Sequence, residues 1–419
     1  MRCHDRPEGM IIPAHRSTAS GRRMRDVHST EFLEFAAYPV PIHARLDMRM
    51  TPLIASLLKG WSVSVADDLA DSPKLELLAS PDHGMTVRGR WVGQDYTVSD
   101  PVDGACSFIA EALKVQANDA SDSFCVHSAA AILCGRAVLF AAGFRAGKST
   151  LTTVLASRGV RIMADDAVFI SPEVRAAISP GISPRLRLPL PADLAHHTRN
   201  FVRETMRLTG KRYGYLALPD NRLMANGEQA PIGAFVHLNR RPGGRAVLVE
   251  IPKSEALKTL IWQNFARQIP AGRILAGLSD LVASRPTLEL QYSSAEDAAD
   301  LLESTFSAWP DDAVPVAGDD LFDEEYQLNI DNPRWRTKPN IVEKRLDAGH
   351  FIADEDTGRI FQLNSTAAAI WRMLSAGEDP EDVASLMCTA FPEIGSERIS
   401  NDVVALIQCF RENDLLFRA

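Results

Sequence analysis

The run Ala142-Gly143-Phe144-Arg145-Ala146-Gly147-Lys148-Ser149-Thr150 fits a relaxed phosphate-loop pattern with Ala at its first position. The chemistry open to such a loop is anion capture. Backbone N–H groups and a following helix N-terminus face a phosphate chain, the lysine reaches the β- and γ-phosphates, and the hydroxyl ligates Mg2+. Lys148 and Ser149 fill those two roles, with residues 143–150 as the nucleotide contact. Asp165-Asp166 follow an apolar stretch at 160–164. Two adjacent carboxylates suit phosphoryl transfer, because one can hold Mg2+ while the other accepts the proton of an attacking hydroxyl.

These residues need elements to hold them. An apolar strand over 137–142 feeds the loop, and a helix over 149–158 leaves it and stops at Gly159. The strand 160–164 then delivers the acidic pair at its carboxyl end, where ligands lie in open α/β sheets. Gly135-Arg136 read as the central residues of a tight hairpin, which pairs Cys134 with Ala137 and sets His127 opposite Phe144, beside the loop.

A chain of 419 residues exceeds one small domain. With 46% hydrophobic and 24% charged residues it is an ordinary globular protein. A formal charge of −9 disfavours a nucleic-acid-coating or polybasic membrane-surface protein, so neither nucleic acid nor membrane is expected as a partner. No apolar run is long enough to span a bilayer and the N-terminus lacks a secretory h-region, so the expected location is cytoplasmic. Six cysteines form no CxxC pair and no metal cluster. The acidity is uneven: residues 1–310 carry 35 basic and 32 acidic side chains, whereas 311–419 carry 10 and 22.

Residues 1–28 read as a disordered tail. A small α+β segment, 29–120, has strand-like runs at 61–65, 75–78, 85–92 and 96–98 and a helix at 105–115. Residues 121–309 alternate strands and helices as an α/β domain, ending in a strand at 288–292 and a helix at 295–309. Seven acidic residues between 311 and 325 mark 310–340 as an acidic linker. A last domain, 341–419, opens with strands at 344–352 and 359–363 around the turn 354–358. Helices at 365–374, 380–391 and 396–413 follow.

The segment from Val126-His127-Ser128 through the loop, Arg158-Gly159 and Met163-Ala164-Asp165-Asp166 resembles the HPr serine kinase-like family. The resemblance implies an α/β P-loop kinase domain over 121–309 that uses ATP and Mg2+ to phosphorylate a serine-type hydroxyl. Lys148 would contact the phosphates, Ser149 would hold the metal, Asp166 would accept the proton, His127 would assist it, and Asp165 would be the acidic neighbour near the metal. Two departures stand out. Phe144-Arg145 replace the usual Ser-Gly, and Ile269-Pro270-Ala271-Gly272-Arg273 matches only weakly the motif tied to reverse phosphorolysis, which is therefore not expected. Glu173 and Glu228 are unaligned candidates for a second metal-binding acid.

Residues 341–419 resemble the PqqD-like, winged-helix recognition element of ribosomal peptide modification systems. Phe361-Gln362-Leu363-Asn364, Ser365-Thr366-Ala367-Ala368-Ala369-Ile370-Trp371 and Asp402-Val403-Val404-Ala405-Leu406 carry that resemblance. It implies capture of a leader peptide as an added strand against an edge at Arg359, Phe361 and Leu363, with Val403, Leu406 and Phe410 as groove residues. The combination resembles the kinases of lasso-type precursor peptides. The acidic linker would then deliver the peptide to Asp166 at high effective concentration. Two other readings stay open: a kinase of a folded carrier protein or small molecule, and a nucleotide-gated peptide-binding chaperone without phosphotransfer. A homo-oligomeric state is also open.

Overall fold

A computed structural model describes residues 29–66, 73–80, 84–120, 122–143, 146–266, 268–309 and 335–418. The expected tail, the acidic stretch 310–334 and the loop residues Phe144 and Arg145 lie outside the described residues. Described residues 30–309 and 338–365 form one unit; 335–337 and 366–418 form the other.

The N-terminal segment contains β1 (Thr30–Ala36), β2 (Ile42–Asp47), α1 (Thr51–Ala55), β3 (Ser62–Val65), β4 (Leu75–Ala79), β5 (Met85–Gly89), β6 (Tyr96–Val98) and α2 (Pro101–Asp119). Its six strands lie in the order β3-β1-β2-β4-β5-β6. Alternation buries one face: Leu33 and Phe35, Ile42, Ala44 and Leu46, Leu75 and Leu77, Met85 and Val87. That face packs on α2, where Phe35 and Phe108 stand 5.3 Å apart, ring to ring. Each such buried aromatic stabilises the fold by about 1.5–3 kcal/mol. α2 is longer than the expected 105–115. Asp100 caps it by accepting from the Val102 N–H at 2.7 Å, and Pro101 occupies the first turn, where a missing N–H costs nothing.

The central segment contains β7 (Phe124–Val126), β8 (Ser128–Leu133), β9 (Arg136–Ala141), α3 (Lys148–Ser157), β10 (Arg161–Ala164), β11 (Val168–Ser171), β12 (Ala176–Ile178) and β13 (Arg185–Arg187). It continues with α4 (His196–Thr205), β14 (Met206–Thr209), β15 (Tyr213–Leu216), β16 (Gln229–Arg240), β17 (Val247–Glu250), α5 (Lys253–Gln263), α6 (Ala271–Ala283), β18 (Thr287–Tyr292) and α7 (Ala295–Thr305). A nine-stranded mixed sheet runs β10-β8-β9-β16-β12-β11-β7, with β18 on β16 and β17 on β18. Its parallel centre is β9, β16 and β18. Val138, Leu139 and Phe140 are all fully buried there, as expected for a strand covered on both faces.

The β8–β9 hairpin corrects the expected register. Leu133 pairs with Arg136, so Cys134 (φ 44°) and Gly135 (φ 79°) are the turn residues rather than Gly135-Arg136. The favoured two-residue turn needs positive φ at both positions and takes glycine most readily at the second. Phe144 lies outside the described residues, and on this register Ala142 is the position opposite His127. His127 occupies the break between β7 and β8, where its backbone N–H donates to the Gln263 carbonyl at 2.8 Å.

The C-terminal segment contains β19 (Trp335–Thr337), β20 (Ile341–Leu346), β21 (Gly349–Asp354), β22 (Arg359–Leu363), α8 (Ser365–Ser375), α9 (Pro380–Ala390), α10 (Ser396–Glu412) and β23 (Leu416–Arg418). The strand expected over 344–352 is two strands, split at Asp347 with φ 49°. Trp335–Thr337, expected in the linker, pairs with β23. The sheet β20-β21-β22 belongs to the first unit: Phe351 and Ala353 share a core with Val126, Met163 and Val168. The Gly272 N–H at the start of α6 donates to Glu355 Oε1 at 3.0 Å. A side chain at Gly272 would strike Val342 and Glu355. In the second unit, fully buried Trp371 meets Phe410 edge-on at 5.1 Å.

Candidate active site

β9 and β10 both run antiparallel to β8, so their carboxyl ends emerge on the same edge of the sheet. The loop after β9 reaches α3 through Gly147, whose φ of 94° suits only glycine. A β-carbon there would lie 2.5 Å from Tyr292 Oη, which itself donates to the Ala146 carbonyl at 2.6 Å. The loop is thus clamped from β18. α3 has no side-chain cap at its start, so its first N–H groups are left for an anion. Lys148 is buried, and its Nζ donates to the Ala142 carbonyl at 3.2 Å. Burial lowers its pKa, while Asp166 and Asp165 oppose that shift.

The turn after β10 carries the acidic pair. Asp165 is 4% exposed and accepts the Arg185 backbone N–H at 2.8 Å, and the Ser149 hydroxyl also donates to it. Burial, then the neighbouring Asp166 charge, push its carboxyl up to about 7. Asp166 is the more open of the two. His127 Nδ1 stands 3.4 Å from Asp166 Oδ1, and Arg185 Nη2 donates to Oδ2 at 3.2 Å. Burial lowers the His127 pKa, with the Lys148 and Arg185 charges acting in the same direction and Asp166 against them. The imidazole is therefore neutral at neutral pH. For Arg185, burial pulls the pKa down and Asp166 more than reverses it, so the guanidinium stays charged.

Expected residues His127, Lys148, Ser149, Asp165 and Asp166 are thus brought together, although His127 arrives by a different register. Arg185, Gln263 and Tyr292 were not anticipated. No motif marks them, and each reaches the site from a distant element. Arg185 projects from the three-stranded sheet β13-β15-β14, its guanidinium 4.7 Å from the centre of the Tyr213 ring.

Ser149 and Asp165 offer two hard oxygen donors in contact, one of them a buried carboxyl that makes no ion pair with a cationic side chain among the described residues. That donor set fits Mg2+, which binds through one or two protein oxygens and leaves its other positions to water and phosphates. No group of three or more His, Cys, Asp or Glu suited to a metal occurs among the described residues. Glu228 does not join the site: it pairs with Arg161 at 2.7 Å and accepts from Ala225 N–H. Glu173 lies 3.8 Å from Arg273.

On the recognition side, β22 forms one edge of its sheet, and among the described residues no strand pairs with its outer side. Arg359 is exposed and Phe361 half-buried. Val403, Leu406 and Phe410 are buried core residues, which corrects the groove expected there, whereas Leu363 has a buried side chain but remains in the backbone of the edge strand. Along α10 the hydrophobic spacing marks the packed face, not a groove.

Residues 349–416 match the family model for coenzyme PQQ synthesis protein D (PqqD). This segment is a PqqD domain. Its strands β21 and β22 lie in the first unit and its helices in the second. Among solved structures, a lasso peptide synthetase B1 complexed with the leader peptide is 32% identical, covering 20% of this chain and 98% of that one with a TM-score of 0.19. TbiB1 in complex with the TbiA(beta) leader peptide is 20% identical, covering 19% and 93% with a TM-score of 0.19. The Hpr(Ser) kinase/phosphatase from Coxiella burnetii is 13% identical, covering 43% and 91% with a TM-score of 0.24. No curated protein matches the chain. No helix among the described residues is long and apolar enough to cross a membrane.

Proposed function

We propose that this chain is an ATP- and Mg2+-dependent kinase that phosphorylates a Ser/Thr-type hydroxyl of a ribosomally made precursor peptide, whose leader adds to the outer edge of β22. The observation that carries the reading is Asp166 held between His127 and Arg185, next to an Asp165 that contacts the Gly147-Lys148-Ser149 turn. The PqqD domain on the same chain supports the peptide half.

The residues divide the work by chemistry. Asp166 takes the proton of the acceptor hydroxyl, and Arg185 and His127 fix its two oxygens in place. Neutral His127 does so without adding a second positive charge. Lys148 and the first N–H groups of α3 hold the phosphate chain, and Lys148 and Arg185 balance the charge on the transferred group. Mg2+ held by Ser149 and Asp165 supplies further neutralisation of that charge when bound. Because β20–β22 is packed on α6 within the catalytic unit, the leader would be seated on that unit itself, and not at the end of the acidic linker.

The test is mass spectrometry of a co-expressed candidate precursor peptide. A phosphoryl group gained with the wild type and lost with Asp166→Asn supports the reading. No gain with the wild type, or an undiminished gain with the variant, contradicts it.

A further inference from the structure

Beside Asp166 lies a cavity of about 70 Å3 whose opposite wall comes from the N-terminal segment: Cys106, Ile109, Ala110 and Leu113 of α2. Ile109 and Leu113 are buried, while Ala110 is exposed at the mouth. The polar flank is rigid. Tyr215 Oη donates to Cys106 Sγ at 3.1 Å, and Arg185 is held by Asp165, Asp166 and the Tyr213 ring. We propose that this cavity is the acceptor side-chain pocket, and that α2 selects which hydroxyl reaches Asp166. The inference rests on the kinase reading above.

Size and lining identify the occupant. An apolar cavity of about 150 Å3 takes a benzene ring. A space of half that volume admits the side chain of Ser or Thr and excludes the ring of Tyr, and it is too small for a nucleotide base. The apolar wall meets the methylene or methyl, and of the two carboxylates in the lining Asp165 is buried and already accepts from the Arg185 N–H and Ser149, which leaves the hydroxyl to point at the more open Asp166. The N-terminal segment thereby acquires a role in the reaction: it forms the specificity wall of a site whose chemistry belongs to the central sheet.

The test uses the full chain with N-acetyl amides of serine, threonine and tyrosine as probes. Two readouts are followed, phosphoryl transfer from ATP and alkylation of Cys106 by iodoacetamide, with exposed Cys134 as internal control. Serine and threonine amides should slow Cys106 alkylation and accept phosphate, and tyrosine amide should do neither. Ala110→Trp, which plugs the mouth from an exposed helix position, should cut transfer to serine amide by about tenfold or more while leaving ATP binding unchanged. Leu113→Ala, which enlarges the cavity, should admit tyrosine amide. Equal handling of tyrosine and serine amides by the wild type, or unchanged transfer to serine amide in Ala110→Trp, overturns the pocket. Selective protection of Cys106 by serine and threonine amides without any transfer upholds the pocket and overturns the kinase reading instead.

Discussion

The turn after β10 and the outer edge of β22 are both places where this fold leaves polar groups for another molecule, and they do it in opposite ways. At the turn, charge is concentrated. Asp165 is buried beside a second carboxylate, Lys148 is buried near both, and Arg185 and His127 converge on Asp166. In such a setting each group's protonation depends on its neighbours. The edge instead offers main-chain N–H and C=O groups along a five-residue strand, with Arg359, Phe361 and their neighbours beside it. What is offered there is a direction and a register. The contrast teaches that, under the proposed function, chemistry would depend on particular side chains, while recognition would depend on backbone shared among many residues.

That difference can be broken by mutation. Asp166→Asn should lower phosphotransfer by about 10^2–10^4 while ATP still binds, measured by single-turnover kinetics and nucleotide titration. Lys148→Ala should weaken ATP binding by about ten- to a hundredfold, seen as loss of the nucleotide-induced thermal shift. Alanine at Phe361, by contrast, should weaken leader binding only several-fold, because the strand's hydrogen bonds remain. A hundredfold loss there would show that side chains carry recognition too.

Protonation sharpens the comparison. The Asp165 carboxyl titrates near 7 in the folded protein and near 3.9 when unfolded. Between those values the native state holds a proton that the unfolded state has lost, so Asp165 lowers stability as pH rises from about 4 to about 7. Asp165→Asn should therefore raise the melting temperature by about 5 °C above pH 7 and leave it unchanged near pH 4. Mg2+ should bind the wild type more weakly as pH falls below 7. The smallest effect is expected for Tyr292→Phe, which frees the Ala146 carbonyl and should weaken ATP binding by only a few-fold.

The two regions also differ in what could be read from residue order alone. The loop, its flanking strand and helix, and the acidic pair were legible because their spacing is short and each residue type has a specific job. Arg185 was not. It stands nineteen residues beyond Asp166, in a separate three-stranded sheet, and only the folding of Arg185–Arg187 against β15 brings it back. The hairpin register slipped by one residue because positive φ is needed at Cys134 as well as Gly135. In the C-terminal segment the helices were legible from their 3.6-residue periodicity. That periodicity says which face is apolar, not what covers it, so Val403 and Phe410 looked like a groove and are core. The packing of β20–β22 on α6 left no trace in the pattern, since Phe351 and Ala353 would read alike in a free domain or a docked one.

The most direct test is transfer of the labelled γ-phosphoryl group of ATP to the full-length precursor, with free leader peptide added as competitor. We expect the wild type to label the precursor, Asp166→Asn to leave it unlabelled, and free leader to suppress labelling without altering ATP binding. Labelling indifferent to free leader would contradict capture of the leader by this chain, and labelling undiminished in Asp166→Asn would contradict the role of the acidic pair.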